Sequence, residues 1–161
     1  MAFASACTGS GGSTGDSTAK ALKEVTPDVH VTTVPSLGKV LTDSRGTVLY
    51  VNNVDRLTRI QCASACLAVW KPVEVAGDAV PAKLPGINGT FTVVKRPGGV
   101  KQLALTGHPL YTFTKDTKPK SASGNMSTDA FGGRHFSWHV ATATGAMPTH
   151  SPSPSPSKGY N

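Results

Sequence analysis

The sequence has little of what most enzymes and membrane proteins need. No apolar run approaches the roughly 20 residues that a membrane-spanning helix requires. The nine acidic residues lie mostly in predicted turns and tails and offer no catalytic carboxylate pair. There is no Gly-x-Ser-x-Gly nucleophile motif, and the Gly98-Gly99 and Gly132-Gly133 pairs lack the lysine of a phosphate-binding loop. We therefore predict no catalytic site and no cofactor.

Both ends of the chain are poor in residues that could build a core. Residues 8–18 are almost all small and polar, so they cannot bury enough apolar surface to offset the entropy of ordering them. Residues 148–158 alternate proline with serine and threonine, a pattern typical of an extended, solvated tail. The sequence predicts one folded domain over 30–143, an N-terminal spacer over 1–29 and a disordered tail over 144–161.

Positive charge is concentrated in the second half. The net charge is +7, and residues 91–161 contain eight basic and two acidic side chains. We expect Lys115, Lys118, Lys120 and Arg134 to cluster around one loop. Such a patch attracts polyanions, or serves only as a solvated surface. No recognition helix or aromatic-basic surface accompanies it, so we predict no nucleic-acid partner and leave an anionic wall polymer or an envelope protein as candidates.

Cys7 lies in a context that resembles a bacterial lipoprotein processing site. Ala4-Ser5-Ala6 supplies small residues before it, and a Gly/Ser/Thr-rich spacer follows. Two features depart from that pattern: Ala4 stands where a leucine is usual, and residues 1–6 have neither a charged start nor an apolar stretch of signal-peptide length. We predict signal-peptide processing and lipidation at Cys7, and the alternative is a free cysteine in a cytosolic tail.

The chain repeats one pattern after 61 residues. Tyr50 followed by Asp55 returns as Tyr111 followed by Asp116, and Trp70 and Phe131 each lie 20 residues after the tyrosine. The repeat predicts a mainly β fold, in which two related β-hairpin units (38–77 and 91–142) pack as a small pseudo-twofold sheet or sandwich with one or two short helices.

Local patterns place the elements of these units. β-Branched and aromatic runs between Gly, Asp and Pro residues indicate strands. The alanine-rich segment 60–70 predicts a short helix that stops before Pro72, and the matching segment 121–131 is predicted as loop because it contains Gly124. The predicted strands are 39–42, 47–51, 90–95, 101–105, 110–113 and 136–141.

Cys62 and Cys66 lie four residues apart on that predicted helix, so their side chains share one face. The expected Cα separation of about 6 Å lies within the range of a disulfide. We predict a disulfide, with reduced buried thiols or a metal or redox role as alternatives. A single Cys-x-x-x-Cys is at most half of a zinc site and is not the Cys-x-x-Cys of thioredoxin-like enzymes.

The histidine and methionine residues suggest metal binding as an alternative function. His135 and His139 would face one ion on a helix, but the alternation with Phe136 and Trp138 indicates a strand. Four residues of strand span about 13 Å, too far to share an ion. We therefore predict no metal site, with these histidines on an outward face; a role for His108 or for the soft ligands Met126 and Met147 stays open.

The segment Tyr111-Thr112-Phe113-Thr114-Lys115-Asp116 resembles the bacterial secreted-repeat proteins described as predicted lipoproteins with a Tyr-x-(Phe/Trp/Tyr)-x-x-Asp motif. Gly107-His108-Pro109-Leu110 before it and Trp138 at its end extend the likeness, and Cys62, Cys66, Trp70 and Pro72 are similar to the family's first unit. The first copy departs at Asn52, where an aromatic is expected.

The resemblance implies a cell-envelope, often lipid-anchored location and no particular activity. Physically, Tyr111 and Phe113 share one strand face and Asp116 follows where the chain turns. We interpret the motif as architectural, with a ligand-contact role for the aromatics as the alternative. We expect a non-enzymatic, monomeric envelope lipoprotein on the outer face of the cytoplasmic membrane or secreted; the alternative is a metal- or redox-handling envelope protein.

Overall fold

The computed structural model describes residues 22–145, which form a mainly β domain. The predictions for Cys7, for most of the N-terminal spacer and for nearly all of the C-terminal tail lie outside this range. Within it, the elements in chain order are β1 (His30–Val34), β2 (Gly38–Thr42), β3 (Leu49–Asn52), α1 (Ala65–Val69), β4 (Trp70–Pro72), β5 (Phe91–Lys95), β6 (Lys101–Leu105), β7 (His108–Pro109), β8 (Tyr111–Phe113), β9 (Thr128–Phe131) and β10 (Arg134–Val140).

These strands form three antiparallel sheets. A five-stranded sheet has the order β4-β8-β3-β10-β9, a three-stranded sheet the order β5-β6-β7, and β1 pairs with β2. The prediction of a mainly β fold with one or two short helices is confirmed. The large sheet takes strands from both repeats, so the repeats share one sheet.

The two repeats follow the same backbone plan around an approximate twofold axis. β3 and β8, which carry the motif tyrosines, are neighbours in the large sheet, and Tyr50 lies directly opposite Tyr111. The β1–β2 hairpin corresponds to the β5–β6 hairpin, with His30 opposite Thr42 and Phe91 opposite Leu105. Equivalent backbone hydrogen bonds follow: Ala141 N–H to Leu49 C=O at 2.7 Å and Val73 N–H to Leu110 C=O at 2.9 Å.

Trp138, rather than Phe131, is the spatial counterpart of Trp70. Trp70 pairs with Phe113 two residues after one motif tyrosine, and Trp138 pairs with Asn52 two residues after the other. The 20-residue spacing suggested Phe131 because the β9–β10 hairpin is an insertion in the second repeat. The same hairpin makes the prediction of a loop over 121–131 wrong at 128–131. There β9 pairs with β10, and the two strands are joined by a Gly132-Gly133 turn with positive φ angles.

The predicted helix over 60–70 is shorter in the structure, where α1 covers only Ala65–Val69. The backbone N–H groups of Gln61 and Cys62 donate to the Asp55 carboxylate, which draws these residues out of a helical path. Ser64 then has a φ of 47° and a ψ of −114°, a non-helical conformation that separates this segment from α1.

The hairpins also differ in detail. β2 pairs mainly with β1, a strand that the sequence patterns did not predict. Its backbone is connected to the segment before β3 only by the isolated Thr42–Val48 bridge. In the second repeat, the predicted strands leave residues 106–109 between them, but the turn has only two residues, Thr106 and Gly107, both with positive φ.

The central strand of the large sheet is buried on both faces. All four residues of β3 are buried, because alternate side chains enter two different cores. Half of the buried residues in the first core, which we call the aromatic core, are aromatic, and this core contains the Cys62–Cys66 pair. The second is aliphatic, between the large and the three-stranded sheets. The expectation that His139 faces outward is therefore wrong: it is 5% exposed.

Candidate functional site

The aromatic residues of the two repeats form one continuous stack. Trp70 lies parallel to Trp138, with ring centroids 3.8 Å apart and an interplanar angle of 7°. Phe113 stacks on the outer side of Trp70 at 4.4 Å. Tyr50 meets Trp70 edge-on at 5.3 Å, and Tyr111 meets Trp138 edge-on at 5.2 Å, which repeats the twofold relation. All five side chains are buried, so they act as packing groups in the first core.

Each motif tyrosine donates a hydrogen bond to the aspartate of the other repeat. The Tyr111 hydroxyl donates to Asp55 Oδ2 at 2.6 Å, and the Tyr50 hydroxyl donates to Asp116 Oδ2. Each aspartate also accepts a backbone N–H from seven residues further along its own repeat, Cys62 at 3.2 Å and Ser123 at 3.0 Å. We call these two crossed tyrosine–aspartate pairs the interlock, because neither repeat completes its own pair.

The first pair of the interlock lies deep in the molecule. Asp55 is 1% exposed, and the Asn52 side-chain amide also donates to its Oδ2 at 2.9 Å. The Tyr111 hydroxyl accepts a hydrogen bond from the buried Arg96 guanidinium at 3.1 Å, so it bridges a buried cation and a buried carboxylate. Burial and the Asp55 charge raise the pKa of Tyr111 above its ordinary value, although the Arg96 charge opposes the shift.

Arg96 is held by two further hydrogen bonds that the sequence did not suggest. Its guanidinium donates to Gln102 Oε1 at 2.6 Å and to the backbone carbonyl of Cys62. Gln102 in turn donates to the backbone carbonyl of Leu110 at 2.7 Å. Arg96 directly precedes Pro97-Gly98-Gly99 in the β5–β6 turn, and it is nevertheless only 7% exposed. Its burial follows from the β5–β6 hairpin packing against the motif.

The second pair lies nearer the surface. Asp116 is half-buried and accepts hydrogen bonds from the Ser121 hydroxyl at 3.0 Å and from both the backbone N–H and the hydroxyl of Ser123. Burial, and then the Asp116 hydrogen bond and charge, raise the pKa of Tyr50, opposed by a backbone hydrogen bond from Gly124. A side chain at Gly124 would collide with Trp70, 2.6 Å from the position of a Cβ.

Cys62 and Cys66 form the predicted disulfide, with Cα atoms 5.3 Å apart. Only Cys66 lies in α1, so the pair is not on one helix face as the spacing suggested. Both cysteines are fully buried in the aromatic core. Because the Cys62 backbone contacts both Asp55 and Arg96, the disulfide fixes one side of the buried pair.

The histidines and the methionine of the described region do not converge. Across residues 22–145, no group of three or more His, Cys, Asp or Glu side chains could hold a metal ion. His108 contacts the Arg56 guanidinium at 3.3 Å, and burial, with the Arg56 charge, lowers the pKa of His108. Met126 is exposed in a left-handed conformation. Met147 lies outside the described residues.

Three basic side chains from different segments line one open cavity of about 480 Å³. We call it the basic groove; Arg45, Lys71 and Lys118 are its cations, and Thr112 and Asp116 also line it. Of the four basic residues predicted to cluster around one loop, only Lys118 lines this groove. Arg134 instead lines a separate cavity of about 280 Å³ beside Ser64, because the β9–β10 hairpin carries it to the helix side.

The second repeat matches a known protein family. Residues 92–142 match the model of a family described as a secreted repeat of unknown function, which confirms for this segment the resemblance noted in the sequence. No curated protein and no solved structure matches the chain. The matched segment spans β5 to β10, and the first repeat has the same backbone plan. No helix in the described part of the chain is long and apolar enough to cross a membrane.

Proposed function

We propose that this chain is a non-enzymatic module that works outside the cytoplasm, attached to the outer face of the bacterial cytoplasmic membrane by a lipid on Cys7. In this proposal, two secreted repeats form one rigid unit that presents a binding surface to a component of the envelope.

The interlock is the observation that carries the proposal. The polar groups of the repeated motif are engaged in hydrogen bonds that join the repeats, since both tyrosine hydroxyls donate to aspartates that other donors also hold. A motif of this kind maintains a shape rather than supplying a reactive group. The buried disulfide suits an oxidising compartment, and the family description supports export.

Intact-mass analysis of the native protein from fractionated bacterial cells tests the proposal. We expect the protein in the membrane fraction, with a diacylglyceryl or triacyl mass added at Cys7 and two hydrogens missing at Cys62 and Cys66. A Cys7→Ser variant should appear in the soluble extracytoplasmic fraction, and a Ser10→Ala variant should stay with the membrane. An unmodified Cys7 in a cytosolic protein whose other two thiols react with an alkylating agent would contradict the proposal.

A further inference from the structure

We propose that the basic groove binds a phosphodiester polymer of the kind found in bacterial walls. This inference rests on the proposed function, because it names the envelope component that the module would hold.

The groove is built where the two repeats meet. The β2–β3 turn, which carries Arg45, touches the loop after the second motif: the backbone N–H of Lys120 donates to the Gly46 carbonyl at 2.8 Å. Gly46 has a φ of 82°, and a side chain there would lie 3.0 Å from Pro119. Neither repeat could form the groove alone.

The charges in the groove favour an anion. The Arg45 side chain is 82% exposed, and Lys71 and Lys118 are exposed. The lining carboxylate of Asp116 already accepts hydrogen bonds from Tyr50, Ser121 and Ser123. Hydroxyl donors supplement the cations, from the lining threonines Thr47, Thr112, Thr114 and Thr117. Spaced cations with hydroxyls between them suit phosphates repeated along a flexible chain.

An adjoining cavity limits where such a polymer could lie. It has a volume of about 430 Å³ and shares Arg45, Lys71 and Thr112 with the groove, but it is also lined by Asp28, Asp43 and Glu74. The Asp43 carboxylate pairs with Arg45 at 2.9 Å. Burial opposes the ionisation of Asp43, but the hydrogen bonds from Thr47 and Arg45 lower its pKa, so it stays negative near neutral pH. A polyanion is therefore directed towards Lys118 and away from this acidic end.

The approximate twofold axis supplies an internal comparison. Lys71 pairs with Thr112 in the large sheet, and the equivalent pair on the other side is His139 with Val51. Lys118 lies two residues after its motif aspartate, where the first repeat has Leu57. Arg56 remains on that side, but its guanidinium donates to backbone carbonyls of its own turn. The same backbone positions are thus cationic on one side only, which indicates a surface with a task beyond folding.

Binding of a synthetic poly(glycerol phosphate) to the full chain tests the inference. A variant with Lys71→Glu and Lys118→Glu should bind at least about tenfold more weakly, and the dependence of log K on log salt should fall by about one per lysine. The control carries Lys39→Glu and Lys95→Glu, an equal charge change on exposed strand lysines outside the groove, and should retain the affinity. Equal melting temperatures would establish that both variants fold.

Equal weakening in the two variants would overturn the inference, because net charge alone would then explain binding, and so would an unchanged affinity in the groove variant. Single-stranded DNA of matched phosphate number and anionic vesicles should bind more weakly than the polymer. Tighter binding of either, lost in the groove variant, would overturn the assignment to a wall polymer. A cytosolic location would contradict the proposed function without altering these affinities, so the two failures are distinguishable.

Discussion

The two tyrosine–aspartate pairs use the same residues in different surroundings. Asp55 is buried and holds Tyr111 together with Asn52 and two backbone N–H groups, while Arg96 completes the network from the other side. Asp116 is half-buried and is held mostly by serines of its own loop. The pair formed by Asp55 is therefore a buried polar centre, and the pair formed by Asp116 is a hydrogen-bonded contact near the surface.

The difference follows from what each repeat places beside its motif. In the first repeat, Cys62 donates its backbone N–H to Asp55, and its disulfide to Cys66 is fully buried in the aromatic core. In the second, Ser123 stands at the position of Cys62, and the chain continues into the β9–β10 hairpin. A repeated motif thus fixes the junction of two units, while the segments that follow it are free to differ.

The largest expected effect is that of removing the buried carboxylate. Asp55→Ala leaves the Tyr111 hydroxyl, the Asn52 amide and two backbone N–H groups without their acceptor, close to the buried Arg96 cation. We therefore expect a loss of about 3–5 kcal/mol in the free energy of unfolding. Asp116→Ala should cost about 1–2 kcal/mol, because water can reach the groups it leaves. Denaturant unfolding monitored by tryptophan fluorescence measures both values. Equal losses would contradict the contrast between the two pairs.

The next prediction concerns Asn52 and Phe113, which occupy equivalent positions two residues after the motif tyrosines but differ in residue type. Phe113 stacks on Trp70, so Phe113→Ala should cost about 3 kcal/mol. The Asn52 side-chain amide instead donates a hydrogen bond to Asp55, and its oxygen accepts hydrogen bonds from the backbone N–H groups of Val54 and Asp55. Asn52→Ala should therefore lower the free energy of unfolding by about 2 kcal/mol.

A double-mutant cycle separates the tasks of these two residues. Asn52→Ala combined with Tyr111→Phe should be non-additive, since both side chains donate to the same Asp55 oxygen. Phe113→Ala combined with Tyr111→Phe should be additive within experimental error. A coupling of the same size in both cycles would show that the packing and polar roles are not distinct.

The sequence allowed prediction of the mainly β fold, of most strands and of the disulfide, because these depend on local patterns. It also supported interpreting the motif as architectural. It did not reveal that each tyrosine crosses to the aspartate of the other repeat, because a register between distant strands leaves no local signal. Tyr50 lies 66 residues from Asp116.

One error has a plain physical origin. His139 was predicted to lie on an outward face, because local patterns carry no information about what packs on a strand's second face. His139 lies opposite Val51 in the large sheet, and Val51 belongs to the aliphatic core, so the burial of His139 depends on tertiary packing. The equivalence of Trp70 and Trp138 was recoverable in principle, had the Gly132-Gly133 hairpin been recognised as an insertion.

The disulfide should contribute less to stability than the Asp55 carboxylate, which accepts the backbone N–H of Cys62. Replacing both cysteines, Cys62→Ser with Cys66→Ser, puts at position 62 the residue that the second repeat has at 123. Closing so short a loop restricts the unfolded chain modestly, so we expect a loss of about 2 kcal/mol. Thermal unfolding of the variant, beside the wild-type protein with and without reductant, measures it. A loss larger than that of Asp55→Ala would mean that the disulfide, rather than the polar centre, dominates the first repeat.

The smallest expected effect appears only in alkaline solution. Both motif tyrosines have pKa values raised above the ordinary 10.0, by burial and by their aspartates. Below pH 10 the phenols are neutral in the folded and unfolded states, and their contribution to stability is fully present. Above it, the unfolded chain loses these protons while the folded chain keeps them, so the free energy of unfolding falls as the pH rises.

A Tyr160→Phe background leaves Tyr50 and Tyr111 as the only tyrosines of the three in the sequence. Tyrosinate absorbance should then rise only together with unfolding, and the unfolding curve should shift to lower denaturant as the pH increases. Adding Tyr50→Phe or Tyr111→Phe should each remove part of that shift. Ionisation of either phenol at its ordinary pKa in the folded protein would show that the corresponding pair is open in solution, and so would identify which repeat holds its partner less tightly.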